Sequence, residues 1–414
     1  MIMKPMRSLV VLAGVSVIPG HLSAKEVDRL YRSADFLGRG HAGLADPRDE
    51  DAIFYNPAAA HGSRGSKKGA KEQFAPSVAS QKDAAPLPDE APPDTAVPQD
   101  GTAAAAPKQE ENAAVEPLIR KVVFISPLIA VSDTAQDIAD AAGDDVKMLE
   151  TLRDLVGKPV HVGLDSFTGV LTQQVGFGVV ASGTGNFHVY KDPAEAGVEA
   201  VNLRAVQNLG FVTSYSHTLL DGALDLGVTG KFISRTMYKA NITVADVDAI
   251  RDLDINKYQN KGSGMGADFA VRYSMPDTFL KPKVALAVMD VGDTSFKRSK
   301  SDGFAIDALR QSVNLGLSLT PELPFGTSSL YFDVDDVMAR SDSSLPKKLH
   351  LGANYELWDA LGFNLGLNQG FSTASVYYRS SVFRFDVGSY AEEIGDKVGE
   401  LPSRRYFVRL AAAM

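Results

Sequence analysis

From about residue 160 to the C-terminus of this 414-residue chain, apolar side chains recur at every second position. Leu349, Leu351, Ala353, Tyr355 and Leu357 alternate with His350, Gly352, Asn354 and Glu356, and Leu361, Phe363, Leu365 and Leu367 alternate with Gly362, Asn364, Gly366 and Asn368. The same device returns over 209–215, 224–232, 267–273, 313–319, 330–334 and 406–410. Successive residues of a strand point to opposite faces, so a two-residue period marks strands with one apolar face and one wet or small face.

Such strands satisfy either a soluble sandwich with its apolar faces turned inward or a membrane barrel with them turned out to lipid. Three observations favour the barrel. The opposite face carries charges, amides and glycines, with Asp225, Lys231, Asp268, Arg272, Asn354, Asn364, Arg384 and Asp386 as candidate lumen-facing residues, as expected of a crowded hydrated lumen. Many runs reach about 9–11 residues, the length of a tilted membrane strand. Tight turns near Trp358-Asp359 and Arg379-Ser380 alternate with polar loops at 241–263, 292–308 and 391–402, the asymmetry of short periplasmic turns and long outer loops. The expected fold is all-β: a transmembrane antiparallel β-barrel of about 14 strands over 118–414, with one inserted loop helix over 134–156, where Ile138, Ala142, Leu149, Leu152 and Val156 keep helical spacing. A mean hydropathy of -0.07 fits this reading, because lipid-facing and water-facing residues cancel in an average. Leu365→Arg at the lipid face is then expected to cost about 2–4 kcal/mol, and Asn364→Arg on the lumen face much less.

The first 160 residues divide by composition. Residues 1–24 join a basic start (Lys4, Arg7) to a short apolar run broken by Pro19-Gly20, with small Ala24 at a cleavage position; this is the form of a Sec signal peptide. Residues 25–62 form a glycine-bearing head. Residues 63–117 hold eight of the 21 prolines and a single aromatic, Phe74, too little apolar surface to offset the entropy of ordering, so a disordered Pro/Ala-rich linker is expected.

Chemistry-bearing patterns are few. The chain has no cysteine, and its seven histidines show no paired metal-ligand spacing; the expectation is no metal, no cofactor and no enzyme activity. With 42 basic and 51 acidic residues and no basic run interleaved with aromatics, nucleic acid is not an expected partner. Ser214, Ser216 and His217 lie close in sequence without an orienting acid, and strand neighbours point apart. Gly38, Gly40 and Gly43 spell a dinucleotide-type glycine pattern, but no βαβ unit follows.

The stretch from Phe36 through Gly38, Gly40 and Gly43 to Asp46, followed by Asp51 to Asn56-Pro57-Ala58, resembles the start of the FadL/PorV-like outer-membrane barrels, including their TodX-type and TraF-like relatives. The tail from Lys348 through Gly366 to Leu410 is similar to the closing hairpins of the PorV and TraF-like branch. The resemblance implies that residues 25–62 are a hatch inside the barrel, with Gly38, Gly40, Gly43, Asn56, Pro57 and Ala58 as its motif residues. It implies an outer-membrane location in a Gram-negative-type bacterium, with lipid around the barrel. Its implied function is passive transport of a hydrophobic small molecule such as a long-chain fatty acid; the alternative is a non-transporting PorV-like scaffold that meets protein partners through its long loops. On residues alone, Gly40 and its neighbours allow positive φ and close backbone approach, and Asn56 can bond its own backbone two residues on while Pro57 fixes φ. Two features depart from the family: the linker follows the Asn-Pro-Ala motif, and the chain ends in Leu410-Ala411-Ala412-Ala413-Met414 without a terminal aromatic, a role for which Phe407 is the candidate.

Overall fold

The computed structural model describes residues 28–60, 119–141, 144–191, 199–243, 255–299, 303–323, 325–339, 344–395 and 397–414. The expected signal peptide (1–24) and the expected Pro/Ala-rich linker (63–117) lie outside them. Fourteen strands form one closed antiparallel barrel. They are β1 (Ile119–Ile125 continued by Leu128–Ser132), β2 (Pro159–Thr172), β3 (Val175–Lys191), β4 (Glu199–Leu219), β5 (Leu224–Thr243), β6 (Gln259–Ser274) and β7 (Lys283–Met289), then β8 (Ser312–Leu319), β9 (Thr327–Val334), β10 (Leu349–Leu357), β11 (Leu361–Asn368), β12 (Phe371–Arg379), β13 (Phe383–Glu393) and β14 (Pro402–Ala413). Each pairs with its sequence neighbours, and β14 closes on both parts of β1. Closure leaves no edge strand to be paired elsewhere.

The alternation seen in sequence is the alternation of the wall. Ile129, Phe211, Phe232, Phe269, Leu330, Leu351, Leu365 and Leu410 face out and are exposed, while their polar and glycine neighbours face in. One end of the barrel has short turns, such as Trp358-Asp359 with φ of 53° at both residues, the left-handed pair that suits a two-residue hairpin turn. Tyr215, Tyr273, Phe279, Phe325, Trp358 and Tyr378 are exposed around this turn end, as in the aromatic girdle of a membrane barrel. The opposite end carries the long connections, apart from Gln369-Gly370.

The wall is not of even height. β3, β4, β5 and β6 run 17, 21, 20 and 16 residues, well beyond the span a bilayer needs. The inserted helix over 134–156 is two helices, α1 (Thr134–Ala141) and α2 (Asp145–Asp154). Asp144 starts the second by accepting from Val146 and Lys147 N–H, an N-cap that satisfies otherwise unpaired donors. The pair is not merely a solvated decoration: Ile138, Leu152 and Leu155 pack on Val160, Val189, Val201 and Ala240, the outward face of the strands where they rise past the apolar belt. Phe407 does not stand in for an outward terminal aromatic. It points inward, fully buried against Leu37, Leu128 and Tyr390.

Candidate functional site

The lumen of the barrel is occupied. Residues 28–60 are almost entirely buried, folded as two short helices (Ala34–Gly38 and Asp51–Tyr55) and a 3-10 turn (Pro57–Ala60). Their apolar side chains meet wall residues in several clusters.

Polar anchors bind this segment around its whole circuit. Arg384 of β13 grips Asp35 with two bonds of 2.6 and 3.0 Å while holding Asp386 at 2.6 Å. Burial alone would raise the Asp35 carboxyl, but Arg384 and Arg48 more than offset it and hold it well below the usual carboxylate range. Arg48 donates to Glu356 (2.8 Å), Asn354 (2.7 Å) and Tyr377 (2.6 Å). Lys283 holds Asp46 at 2.7 Å, and Lys121 reaches Asp49 and Glu50 at 2.8 and 2.9 Å. Asp333 accepts the N–H groups of Gly43 and Leu44, both at 2.7 Å, and Thr229 donates to the Ile53 carbonyl at 3.0 Å.

Where side chains do not intervene, backbone meets backbone. A methyl group on Gly40 would lie 2.4 Å from the Leu351 carbonyl oxygen, and one on Gly366 2.3 Å from the Arg39 carbonyl carbon. Gly40 and Gly43 have φ of 72° and 134°, conformations that disfavour a side chain on their own account. Gly38 ends the first helix with ordinary φ, its limit being space: a methyl there would sit 1.9 Å from Ser375 Oγ. Asn56 accepts from Ala58 N–H at 3.1 Å and donates to the Leu44 carbonyl at 2.7 Å, so its turn also ties the two halves of the segment together. Pro57 and Ala58 lie against Gly227 of β5, where a methyl would come within 2.2 Å of both.

The remaining sequence-chosen polar residues are buried on the inner face. Asp225 pairs with Arg272 at 2.8 Å, Lys231 with Asp268 and Asp290 at 2.7 Å each, and Asn354 with Asn364 at 2.8 Å. These are packed sites rather than a watery lining. Asn364 also bonds Ser375 and sits behind Gly38, so the expectation that Asn364→Arg is mild is withdrawn: an arginine there has no room.

Sequence reading missed Arg39, His41, Asp51 and Arg204. Arg39 is fully buried between the rings of Phe36 and Tyr331, with its guanidinium carbon 4.7 and 4.5 Å from their centroids. His41 lies 6.1 Å from His350 between their rings and bonds Arg29 at 2.8 Å. Burial, Arg29 and His350 push its imidazole well below the usual value, so it is held neutral and its seating weakens as pH falls below the unfolded value of 6.5. Asp51, bonded by the Ser33 hydroxyl, is pushed up to about 7 by burial and by Glu50 and Asp35. A carboxyl raised in this way is a liability that grows as pH rises from 3.8 towards about 7. Asp51→Asn should therefore raise the unfolding midpoint near neutral pH and lose that advantage near pH 4, with a gain of roughly 1–2 kcal/mol, held down because the new amide N–H groups also need partners. Thermal unfolding of the detergent-solubilised protein across that range checks it; a pH-independent difference would contradict the assignment.

Among the described residues there is no cluster of three or more side chains able to hold a metal ion. No protein-family model matches the chain, and no curated protein sequence does. Solved structures resembling it include CdiB from Acinetobacter baumannii (9% identity, 71% of this chain and 60% of that one, TM-score 0.35). Two others are the CymD monoaromatic hydrocarbon channel (10% identity, 71% and 87%, TM-score 0.38) and the P. putida toluene transporter TodX (9% identity, 72% and 89%, TM-score 0.34). The chain thus spans less than two thirds of CdiB. The assignment of a closed barrel of the outer-membrane type rests on the strand pairing and the outward apolar belt themselves.

Proposed function

We propose that the chain is an outer-membrane passive transporter for hydrophobic small molecules, with residues 25–62 as its hatch and export directed by residues 1–24. One observation carries this reading. Among the apolar clusters between hatch and wall, one joins Leu30, Tyr31, Ile53 and Phe54 of the hatch to Val123, Phe167, Leu171, Val180, Val212 and Ile233 of the wall. That cluster reaches the wall at β1, which is interrupted at Ser126-Pro127 and whose pairing with β2 lapses between Val123 and Leu128.

Proline cannot donate to a ladder, so the wall's hydrogen bonding is interrupted beside the place where the apolar cluster meets it. Phe167 covers this place from inside, its ring lying where a methyl on Gly169 or Gly178 would come within 2.5 Å. An apolar molecule passing the hatch would leave sideways through the β1–β2 seam into the bilayer, with the anchors of Asp35, Asp46 and Arg48 left in place. Uptake of a labelled long-chain fatty acid or aromatic hydrocarbon by cells should fall when the protein is deleted and return with it; equal uptake in the deletant sinks the proposal.

A scaffold reading is favoured by a different observation, the helix pair packed on the outward face of the tall strands. Transport has no need of a folded surface there. On that reading a pull-down in mild detergent recovers a specific protein partner that is lost when residues 134–154 are replaced by a short turn.

A further inference from the structure

The described parts of the connection between β7 and β8, 290–299 and 303–311, fold back onto the barrel, with Thr294, Phe296, Ile306 and Leu309 buried. Three glycines on the inward face of β6 make the seat. A methyl on Gly262 would lie 2.7 Å from the Lys297 carbonyl oxygen, one on Gly264 2.4 Å from that of Ser295, and one on Gly266 2.1 Å from Thr294 Oγ1. Lys297–Arg298 pairs with β6 at Ser263 and Gly262, and Thr294 and Leu309 exchange backbone bonds of 2.8 and 3.1 Å that brace the loop on itself.

The returning limb is held by the wall. Arg235, fully buried, donates to the Asp307 carbonyl at 2.8 Å and lies 4.6 Å from the centre of the Phe296 ring. Arg204 pairs with Asp307 at 3.1 Å and with Asp28 of the hatch at 2.7 Å, while Asn260 donates to the Phe304 carbonyl at 2.7 Å. Phe296, Ile306 and Leu309 belong to the same apolar cluster as Leu30, Tyr31, Ile53 and Phe54 of the hatch.

We infer that this loop is a second seal of the lumen, rooted on the Gly262, Gly264 and Gly266 stripe separately from the hatch, and that a molecule arriving from the loop end meets it first. Its three apolar side chains are the lid of the apolar cluster, so the loop and not the hatch controls access to it from that end. The inference stands whether the barrel transports or scaffolds, since it concerns only what closes the lumen.

The cysteine-free chain allows a direct test. A methyl on Gly266 would be 3.2 Å from Thr294 Cβ, close to the roughly 3.5–4.5 Å that disulfide-bonded Cβ atoms span. The double variant Gly266→Cys, Thr294→Cys should crosslink under mild oxidation in the full-length folded barrel. Separately, Leu309→Cys in detergent-purified protein should resist a bulky charged maleimide, lose that protection when Gly264→Leu is added, and keep it with Gly185→Leu, whose site faces open space. If Gly264→Leu does not reach the folded barrel, the crosslink decides. A folded double variant that fails to crosslink, or Leu309→Cys labelled as fast alone as with Gly264→Leu, overturns the inference.

Discussion

Arg384→Met should lower the stability of the folded barrel by roughly 3–5 kcal/mol, the penalty for leaving buried charge without its partner. The size follows from what the guanidinium holds. It bonds both oxygens of Asp35 and one of Asp386 and stacks 4.1 Å from the centre of the Tyr377 ring, and the two carboxylates are 2% and 1% exposed. Without it they face each other in a buried site, and Arg48, which also favours the charged form of Asp35 but commits its hydrogen bonds to Glu356, Asn354 and Tyr377, can offset only part of the loss. Methionine retains the volume, so the loss reports charge rather than a cavity. Adding Asp35→Asn should recover a large part, since the pair shares one network. Denaturant unfolding in detergent or lipid gives the cycle. If Arg384→Met changed stability by less than about 0.5 kcal/mol, the level of an ordinary surface substitution, the head segment would not be seated as described.

The same network limits how a hatch here could work. Leaving the lumen entirely would break the anchors of Asp35, Asp46, Arg48, Asp49 and Glu50 together, a sum no passing hydrophobic molecule could repay. Local rearrangement around Leu30, Tyr31, Ile53 and Phe54, which meet the wall in the apolar cluster and have no ion pair to it among the described residues, alongside the Thr229 bond to the Ile53 carbonyl, is the less costly motion. Transport through the β1–β2 seam is proposed for that reason: it spares the anchors of Asp35, Asp46 and Arg48, whose partners stand on other strands.

Much of this fold was legible because one physical constraint writes itself into every strand. Lipid on one side and a packed lumen on the other force the two-residue period, and the runs over 349–357 and 361–367 are β10 and β11 almost to the residue. The Asn56 turn was legible too, because its bond to Ala58 N–H is local. The partners of the lumen charges were not. Asp35 and Arg384 are 349 residues apart, and nothing local says which carboxylate an inward arginine will meet. The glycines of β6 read as a small face without showing that a loop fills it. The signal available was in that loop: Phe296, Ile306 and Leu309 are apolar residues without strand spacing, in a stretch that reads as a polar outer loop. The fill of the lumen also explains why Asn364 was misjudged, since alternation shows that a residue faces inward and says nothing of whether water or protein waits there.

Leu365→Arg should cost about 2–4 kcal/mol, the measured range for a cation at the lipid-facing midplane of a barrel. Leu365 is 62% exposed, lies near the middle of β11, and stands between Ala353 and Ala374 on its neighbours, so no adjacent side chain offers shelter or a counter-charge. The informative comparison is another outward position, because an inward arginine fails for want of space. Gln207 of β4 also faces out and is exposed, but it sits on the tall part of the wall, two residues past Leu209 and in register with Thr236 and Gly183. There the outward face turns from apolar to polar, as expected where strands leave the hydrocarbon. Gln207→Arg should therefore change stability by less than about 0.5 kcal/mol. Folding equilibria in lipid vesicles measure both. A large cost at both positions would place the tall strands inside the bilayer and remove the reason for the helix pair to cover them; a small cost at both would mean that the apolar belt does not face lipid.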